Sequence, residues 1–328
     1  MAAATSDPLQ RLEQALRAGP DTPRKRMLII VNPYATTVSD RLKNLVVYAL
    51  RGSFQVEAVE TESRDHATRL CREAARQHYD VVVAFGGDGT VNEAANGLAG
   101  SDTPLSCLPG GRTNVYCRML GIPIDPVDAT EHLLRLNDDW RPRRVDVARL
   151  NERYFLFSAG VGLDASVVER VDAHPRLKAR LGEWYYTNVA LRVFARRYLL
   201  HPPRLEASLG EERVEGVTAV VQNAAPYTFF GNRPVHLGEG AALDSGTLSG
   251  VVLERARPID VPTIGARALS ERWALGRHRH VTAFSGLQGL EVRSLDERAL
   301  PIQVDGDYIG EVSTASFSVD PGGLLVVA

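Results

Sequence analysis

The sequence predicts two domains: an α/β domain built on a parallel sheet, then an all-β domain of sandwich type. Three observations carry this. In residues 25–142 short β-branched apolar runs alternate with amphipathic stretches, the mark of strand–helix–strand units with right-handed crossovers. Two of those runs end in paired glycines that precede a helical stretch. From residue 143 onward the texture changes to many short β-rich runs, as an antiparallel sandwich or flattened barrel requires. A chain of 328 residues with 44% hydrophobic content can bury a core in each domain.

Residues 1–24 read as a mobile leader, because Gly19-Pro20-Asp21-Thr22-Pro23 breaks a short amphipathic stretch ahead of Arg24-Lys25-Arg26. Residues 27–31 make a buried first strand that ends at Asn32-Pro33, a helix follows over 39–50, and residues 54–59 alternate as a second strand. A helix over 65–77 leads into the β-branched strand 80–85. Then come a helix near 92–98, a strand at 105–108, a helix at 114–120 and another near 127–136. The second domain, 143–328, carries strands at 144–150, 154–159, 214–222, 248–253, 280–284, 290–294, 302–304 and 315–319, interrupted by a helical insert at about 184–200. Its last residues are free to return to the first domain.

Composition narrows the function. A formal net charge of −2 gives no global basic field for nucleic acid, so none is expected as a partner and any membrane contact must be local. Cys71, Cys107 and Cys117 are odd in number without a CxxC spacing, which argues against a disulfide framework or cysteine zinc site and fits a reducing cytoplasm. No run approaches the roughly 18 apolar residues of a spanning helix. The expected location is therefore cytoplasmic, with peripheral contact at the inner face of the membrane. Exposed sandwich edges leave room for a homodimer.

Two glycine-rich turns carry the chemistry. Gly86-Gly87-Asp88-Gly89-Thr90-Val91-Asn92-Glu93 follows a parallel strand directly and precedes a helix, at the sheet edge where ligands dock. Glycines there let a phosphate approach the backbone, and the helix start adds unpaired N–H donors. Asp88 beside a phosphate is repulsive unless a metal ion or a proton transfer involves it. The alternative is a plain strand-to-helix turn with Asp88 or Thr90 as a cap. Pro109-Gly110-Gly111-Arg112-Thr113-Asn114 repeats the arrangement after the next strand, with an ordinary turn capped by Asn114 as its alternative.

These blocks, together with residues 29–33, Thr61, His66-Ala67, and residues 160–165, 242–248 and 304–307, closely resemble the diacylglycerol kinase catalytic family, in particular its bacterial lipid kinases, and more distantly sphingosine and NAD kinases. The resemblance covers roughly residues 25–328 and implies an NAD kinase-like two-domain fold: a Rossmann-like nucleotide domain, a β-sandwich domain and an active site in the cleft between them. It implies ATP bound by Asn32, Thr61, Gly86, Gly87, Asp88, Gly89, Thr90, Val91 and Asn92, and by Gly111, Arg112, Thr113 and Asn114 of the second turn. It implies Mg2+ on Asp244 with backbone carbonyls of the segment containing Leu243 and Leu248. In Asp305-Gly306-Asp307 it implies that Asp307, where the family has glutamate, is the general base, aided by Asp88. An Asp-Gly hairpin turn is the local reading of the same residues, and both can hold together. Arg112 stands where the family often has threonine, and Ser249 where it has aspartate.

The activity so implied is transfer of the ATP terminal phosphate to a lipid hydroxyl at a membrane surface. Candidate lipid contacts are Trp184, Tyr185, Tyr186 and residues 227–231, with Arg192, Arg196, Arg197 and His201 for an anionic headgroup; core packing and a solvated basic face are the alternatives. His278, Arg279 and His280 lack the spaced carboxylates of a metal site. The competing functions are an NAD kinase-like or other small-alcohol kinase, and an ATP-binding regulator without catalysis. A dinucleotide oxidoreductase is disfavoured because the GxGxxG spacing is lacking.

Overall fold

The computed structural model describes residues 24–35, 38–172, 203–255, 257–270, 273–296 and 298–328. The leader up to residue 23 and the helical insert at 184–200, with the aromatic and basic candidates named on it, lie outside the described residues.

Five strands form the parallel part of the first sheet. They are β1 (Arg26–Val31), β2 (Gln55–Glu60), β3 (Val81–Gly86), β4 (Leu105–Pro109) and the end of β18 (Thr314–Val326), in the order β2-β1-β3-β4-β18. β3 is buried along its whole length because helices cover both faces, so each of its positions must be apolar or glycine. β2 is the edge, and Gln55, Glu57 and Glu60 keep it solvated. The covering helices are α1 (Asp40–Leu50), α2 (His66–Arg76), α3 (Asp88–Leu98), α4 (Val115–Met119) and α5 (Pro126–Leu136). Ser39 caps α1 by accepting from the Leu42 N–H, and Asp125 caps α5.

The second half is antiparallel. A six-stranded sheet runs β14 (Val281–Leu287), β13 (Leu248–Leu253), β10 (Thr218–Gln222), β7 (Ser158–Gly162), β16 (Leu300–Val304), β17 (Asp307–Val312). It packs on strands that continue the first sheet: β5 (Arg143–Leu150), β6 (Arg153–Phe155), β8 (Leu205–Leu209), β9 (Glu212–Gly216), β15 (Gly289–Ser294) and the start of β18. Val161 and Val252 from one side meet Val292 and Phe317 from the other, and Phe155 stands edge-on to Phe317 at 6.4 Å.

Three expectations are corrected here. The runs 154–159 and 214–222 are not single strands: each divides into two that belong to different sheets, turning at 156–157 and at Val217. The run 315–319 is only the start of β18, which continues through a bulge at 320–324 to reach β4. The helix expected near residue 92 begins at Asp88. One helix was missed in the all-β half, α6 (Leu163–Asp172), directly after β7; α7 (Val261–Ala268) is a second.

Candidate active site

The first glycine turn is shorter than the sequence suggests. β3 ends at Gly86, Gly87 is the N-cap of α3, and Asp88 already lies in the helix, because the N–H groups of Thr90 and Val91 both bond to the Gly87 carbonyl at 3.0 and 3.2 Å. No side chain caps α3, so its first amides and the positive end of its dipole face the sheet edge. A β-carbon on Gly86 would stand 2.5 Å from the Thr90 hydroxyl, which bonds the Asn32 side chain at 3.1 Å. Asn32 and Thr61 close the same edge: the Asn32 N–H donates to the Phe85 carbonyl, and the Thr61 N–H donates to the Val31 carbonyl at 2.8 Å.

The two glycine turns lie backbone against backbone. The Gly110 N–H donates to the Gly86 carbonyl at 2.8 Å, and β-carbons on Gly110 and Gly111 would stand 2.9 and 2.8 Å from the α-carbons of Gly86 and Gly87. Only glycine fits this approach. Asn114, at φ 48°, does not cap α4 with its side chain. It closes the turn from inside, accepting from the Gly111 N–H at 2.9 Å and donating to the Gly111 carbonyl at 2.8 Å. Asp88 supplies the missing cap from the other turn. Its two carboxylate oxygens accept from the Val115 and Tyr116 N–H groups at 3.0 and 3.1 Å. Below them Cys117 and Cys107 bring their sulfurs to 3.0 Å.

The third component arrives from the second half. β16 and β17 are joined by Asp305-Gly306, both at positive φ (47° and 83°), the pattern of a tight hairpin turn. Asp305 is buried and gathers four donors: Asn92 at 2.8 Å and the backbone N–H groups of Leu156, Phe157 and Ser158 at 2.7, 3.0 and 3.1 Å. Burial pushes its carboxyl up to about 6, against the pull of those donors. Asp307, two residues on, turns its carboxylate to Gly89, where a β-carbon would collide with it. Arg64, in the loop after Thr61, donates to the Tyr308 carbonyl at 2.8 Å, and the neighbouring Asp65 pairs with Arg153 at 2.6 Å.

A glycine edge with open helix amides and a carboxylate delivered from the facing half suits transfer of a phosphate to a hydroxyl, and the relatives agree. A family profile described as the diacylglycerol kinase catalytic domain matches residues 26–150. Residues 26–150 are a diacylglycerol kinase catalytic domain. The chain is similar to a diacylglycerol kinase of Staphylococcus aureus (strain bovine RF122 / ET3-1), 27% identical over 300 residues, with 88% of each chain covered. A diacylglycerol kinase of Staphylococcus saprophyticus is 26% identical over 298 residues, covering 88% of this chain and 91% of that one. A crystal structure of a diacylglycerol kinase from Bacillus anthracis str. Sterne superposes with a TM-score of 0.68 at 19% identity, covering 94% of this chain and 98% of the other. A second Bacillus anthracis structure gives 0.72 at 23% identity and the same coverage. The chain is thus a phosphotransferase with an alcohol acceptor.

In this kinase several nominated residues hold the site rather than line it. Asp88 is half-buried and both its oxygens are taken by α4, so it positions the second turn and is not placed to accept a substrate proton; desolvation raises its carboxyl above the usual range, opposed by the two amides. Val91 is core. Asn92 is buried with its amide donating to the Tyr154 carbonyl and to Asp305, so it joins the halves. Asn114 is spent on Gly111. Asn32, Thr61, Gly86, Gly87, Gly89 and Thr90 remain at the edge with Gly111, the exposed Arg112 and Thr113, whose carbonyl accepts from the Arg118 guanidinium at 3.1 Å.

The residues expected to hold magnesium lie in the turn before β13 and at the first residue of that strand. Asp244 is exposed, Leu248 lies in β13, and the Leu243 carbonyl accepts the Asp146 N–H at 2.6 Å. Among the described residues no three histidine, cysteine, aspartate or glutamate side chains converge. Asp146, which sequence reasoning missed, holds this turn: it accepts from the Gly246 N–H at 2.6 Å and from the Gly322 N–H at 2.8 Å. The signal for it was an aspartate inside an apolar strand, Val145-Asp146-Val147, and Asp305 stood at the end of a similar one. Among the described residues no helix is long and apolar enough to cross a membrane.

Proposed function

We propose that the chain transfers the terminal phosphate of ATP to the hydroxyl of a diacylglycerol-like lipid in the cleft between the glycine edge and the β16–β17 hairpin. ATP supplies the phosphoryl group. The uncapped amides of α3, with Asn32, Thr61 and Arg112 around them, would hold its phosphates, since glycines alone allow so close an approach. Asp307 takes the proton of the attacking hydroxyl, and Gly89 gives it the space to stand at the first turn of α3. The observation that carries this reading is that meeting of Asp307 with Gly89: a carboxylate faces the helix start from the opposite half of the molecule. The acceptor class comes from the names of the Staphylococcus relatives.

Labelled phosphate transfer from ATP to detergent-dispersed diacylglycerol, with Asp307→Asn beside the wild type, tests it. Wild type labels the lipid, and Asp307→Asn loses about 10²–10⁴-fold while still binding ATP. Labelling of NAD or a soluble alcohol instead moves the assignment to that kinase class. ATP binding without transfer to any acceptor rejects the enzyme reading in favour of a nucleotide-binding regulator.

A further inference from the structure

The region after β13 has no part in the site, yet it presents an unusual surface. A short turn at Pro258–Asp260 leads into α7, whose inner face, Ile264 and Ala268, is packed. Its outer face is a stripe of exposed apolar residues at helical spacing: Val261, Pro262, Gly265, Ala266 and then Leu269. Ile259 on one side is 76% exposed and Trp273 on the other 63%. Side-chain bonds hold these pieces together. Asp260 pairs with Arg279 at 2.9 Å, Thr263 bonds His278 at 3.2 Å, and Arg267 donates to the Ala274 carbonyl at 3.0 Å.

Around the stripe the charge is one-sided. Among the described residues of 254–280, Arg255, Arg257, Arg267, Arg277 and Arg279 stand against Glu254 and Asp260, in a chain whose formal net charge is −2. Glu254 is bonded to Thr282 and Asp260 to Arg279, so neither carboxylate is directed outward alone. Apolar residues including tryptophan, interspersed along 255–279 with arginines, match the boundary between headgroups and acyl chains of an anionic membrane.

This surface is also joined to the active site. The His236 N–H donates to the Ala268 carbonyl at 2.8 Å, and His236 follows the hairpin of β11 (Thr228–Phe230) and β12 (Arg233–Val235). Within that hairpin, in the pair Phe229–Pro234, the Arg118 guanidinium of α4 stacks on Phe229 at 4.6 Å, while Phe230 beside it is exposed. We propose that the outer face of α7, with Ile259, Trp273 and Phe230, docks the protein on an anionic phospholipid bilayer, and that the hairpin, bonded to α7 through His236 and to Arg118 through Phe229, links this face to the second glycine turn. The purpose of docking rests on the lipid-kinase reading, but the two are measured apart.

Co-sedimentation of the full chain without ATP, using phosphatidylcholine vesicles with and without phosphatidylserine, reads docking; transfer to detergent-dispersed diacylglycerol reads the kinase. The wild type should pellet with the phosphatidylserine vesicles only. Ile259→Asp with Trp273→Ala should weaken this at least roughly tenfold, and Arg257→Ala and Arg277→Ala about fivefold each, with transfer in detergent unchanged. The arginine variants leave the apolar packing alone and test the same face independently. Pelleting of both variant sets like the wild type, or equal pelleting on neutral vesicles, overturns the proposal. So does a wild-type dimer in solution that the Ile259 and Trp273 changes dissolve, which would assign the face to a second copy of this chain.

Discussion

Two Asp-Gly pairs in this protein look alike in sequence and do related work by different backbones. Asp88-Gly89 opens a helix, and Asp305-Gly306 turns a hairpin at positive φ. Asp305 is buried and Asp88 half-buried, both spend their oxygens on N–H groups of another segment, and desolvation raises both carboxyls. Beside them Asp307 meets Gly89, the contact on which the proposed transfer rests. The difference lies in what each pair secures: Asp88 ties one glycine turn to the other, while Asp305 ties the helix after the first turn to the sandwich.

The largest effect should come from Asp305→Ala, which strands four donors, three of them backbone; a loss of about 4 kcal/mol or more in denaturant unfolding is expected. A loss under about 1 kcal/mol would mean that water replaces the carboxylate there.

The pH dependence follows the same residue. Its folded value of about 6 lies above the ordinary 3.8, so the folded state holds the proton more tightly. Its contribution is therefore most favourable below about pH 4 and falls as pH rises through 6, by about 3 kcal/mol in all. The part of the stability-versus-pH slope between 4 and 6 that vanishes in Asp305→Asn measures it.

Gly89→Ala separates function from folding. Alanine is the better helix residue by about 1 kcal/mol, so stability should hold, yet its methyl group displaces the Asp307 carboxylate and transfer should fall about 100-fold. Full activity in this variant would remove Asp307 from the reaction.

The smallest effect is assigned to Asp88→Asn, whose amide can serve only one of the two α4 donors. Stability should drop by about 1–3 kcal/mol, with weaker nucleotide binding and no change in the pH profile of turnover. A shifted pH profile would return Asp88 to proton transfer.

Much of this was legible in the sequence for identifiable reasons. Strands 27–31 and 80–85 were read almost to the residue because a strand buried on both faces must be an apolar run. The two glycine turns were found because glycine pairs after such strands have few other uses. The start of α3 was misplaced because Gly89 looked like loop, whereas its missing side chain serves Asp307, which lies 218 positions away. The divided strands at 154–159 and 214–222 escaped notice because both segments stay buried as they pass from sheet to sheet, so no polar break marks the change. The partners of Asp88 lie 27 and 28 positions away and those of Asp305 up to 213, and local spacing carries no trace of them.

The long strand β18 sets the order in which the molecule can be assembled. Residues 314–318 pair with β15, residues 317–326 pair with β5, and Val326 then lies beside Leu105 on β4. During synthesis the parallel sheet of the first half therefore waits, with β4 as an open edge, until nearly the whole chain has emerged. The domain begun first is thus the one finished last, when Val326 comes to lie beside Leu105 and closes the β4 edge.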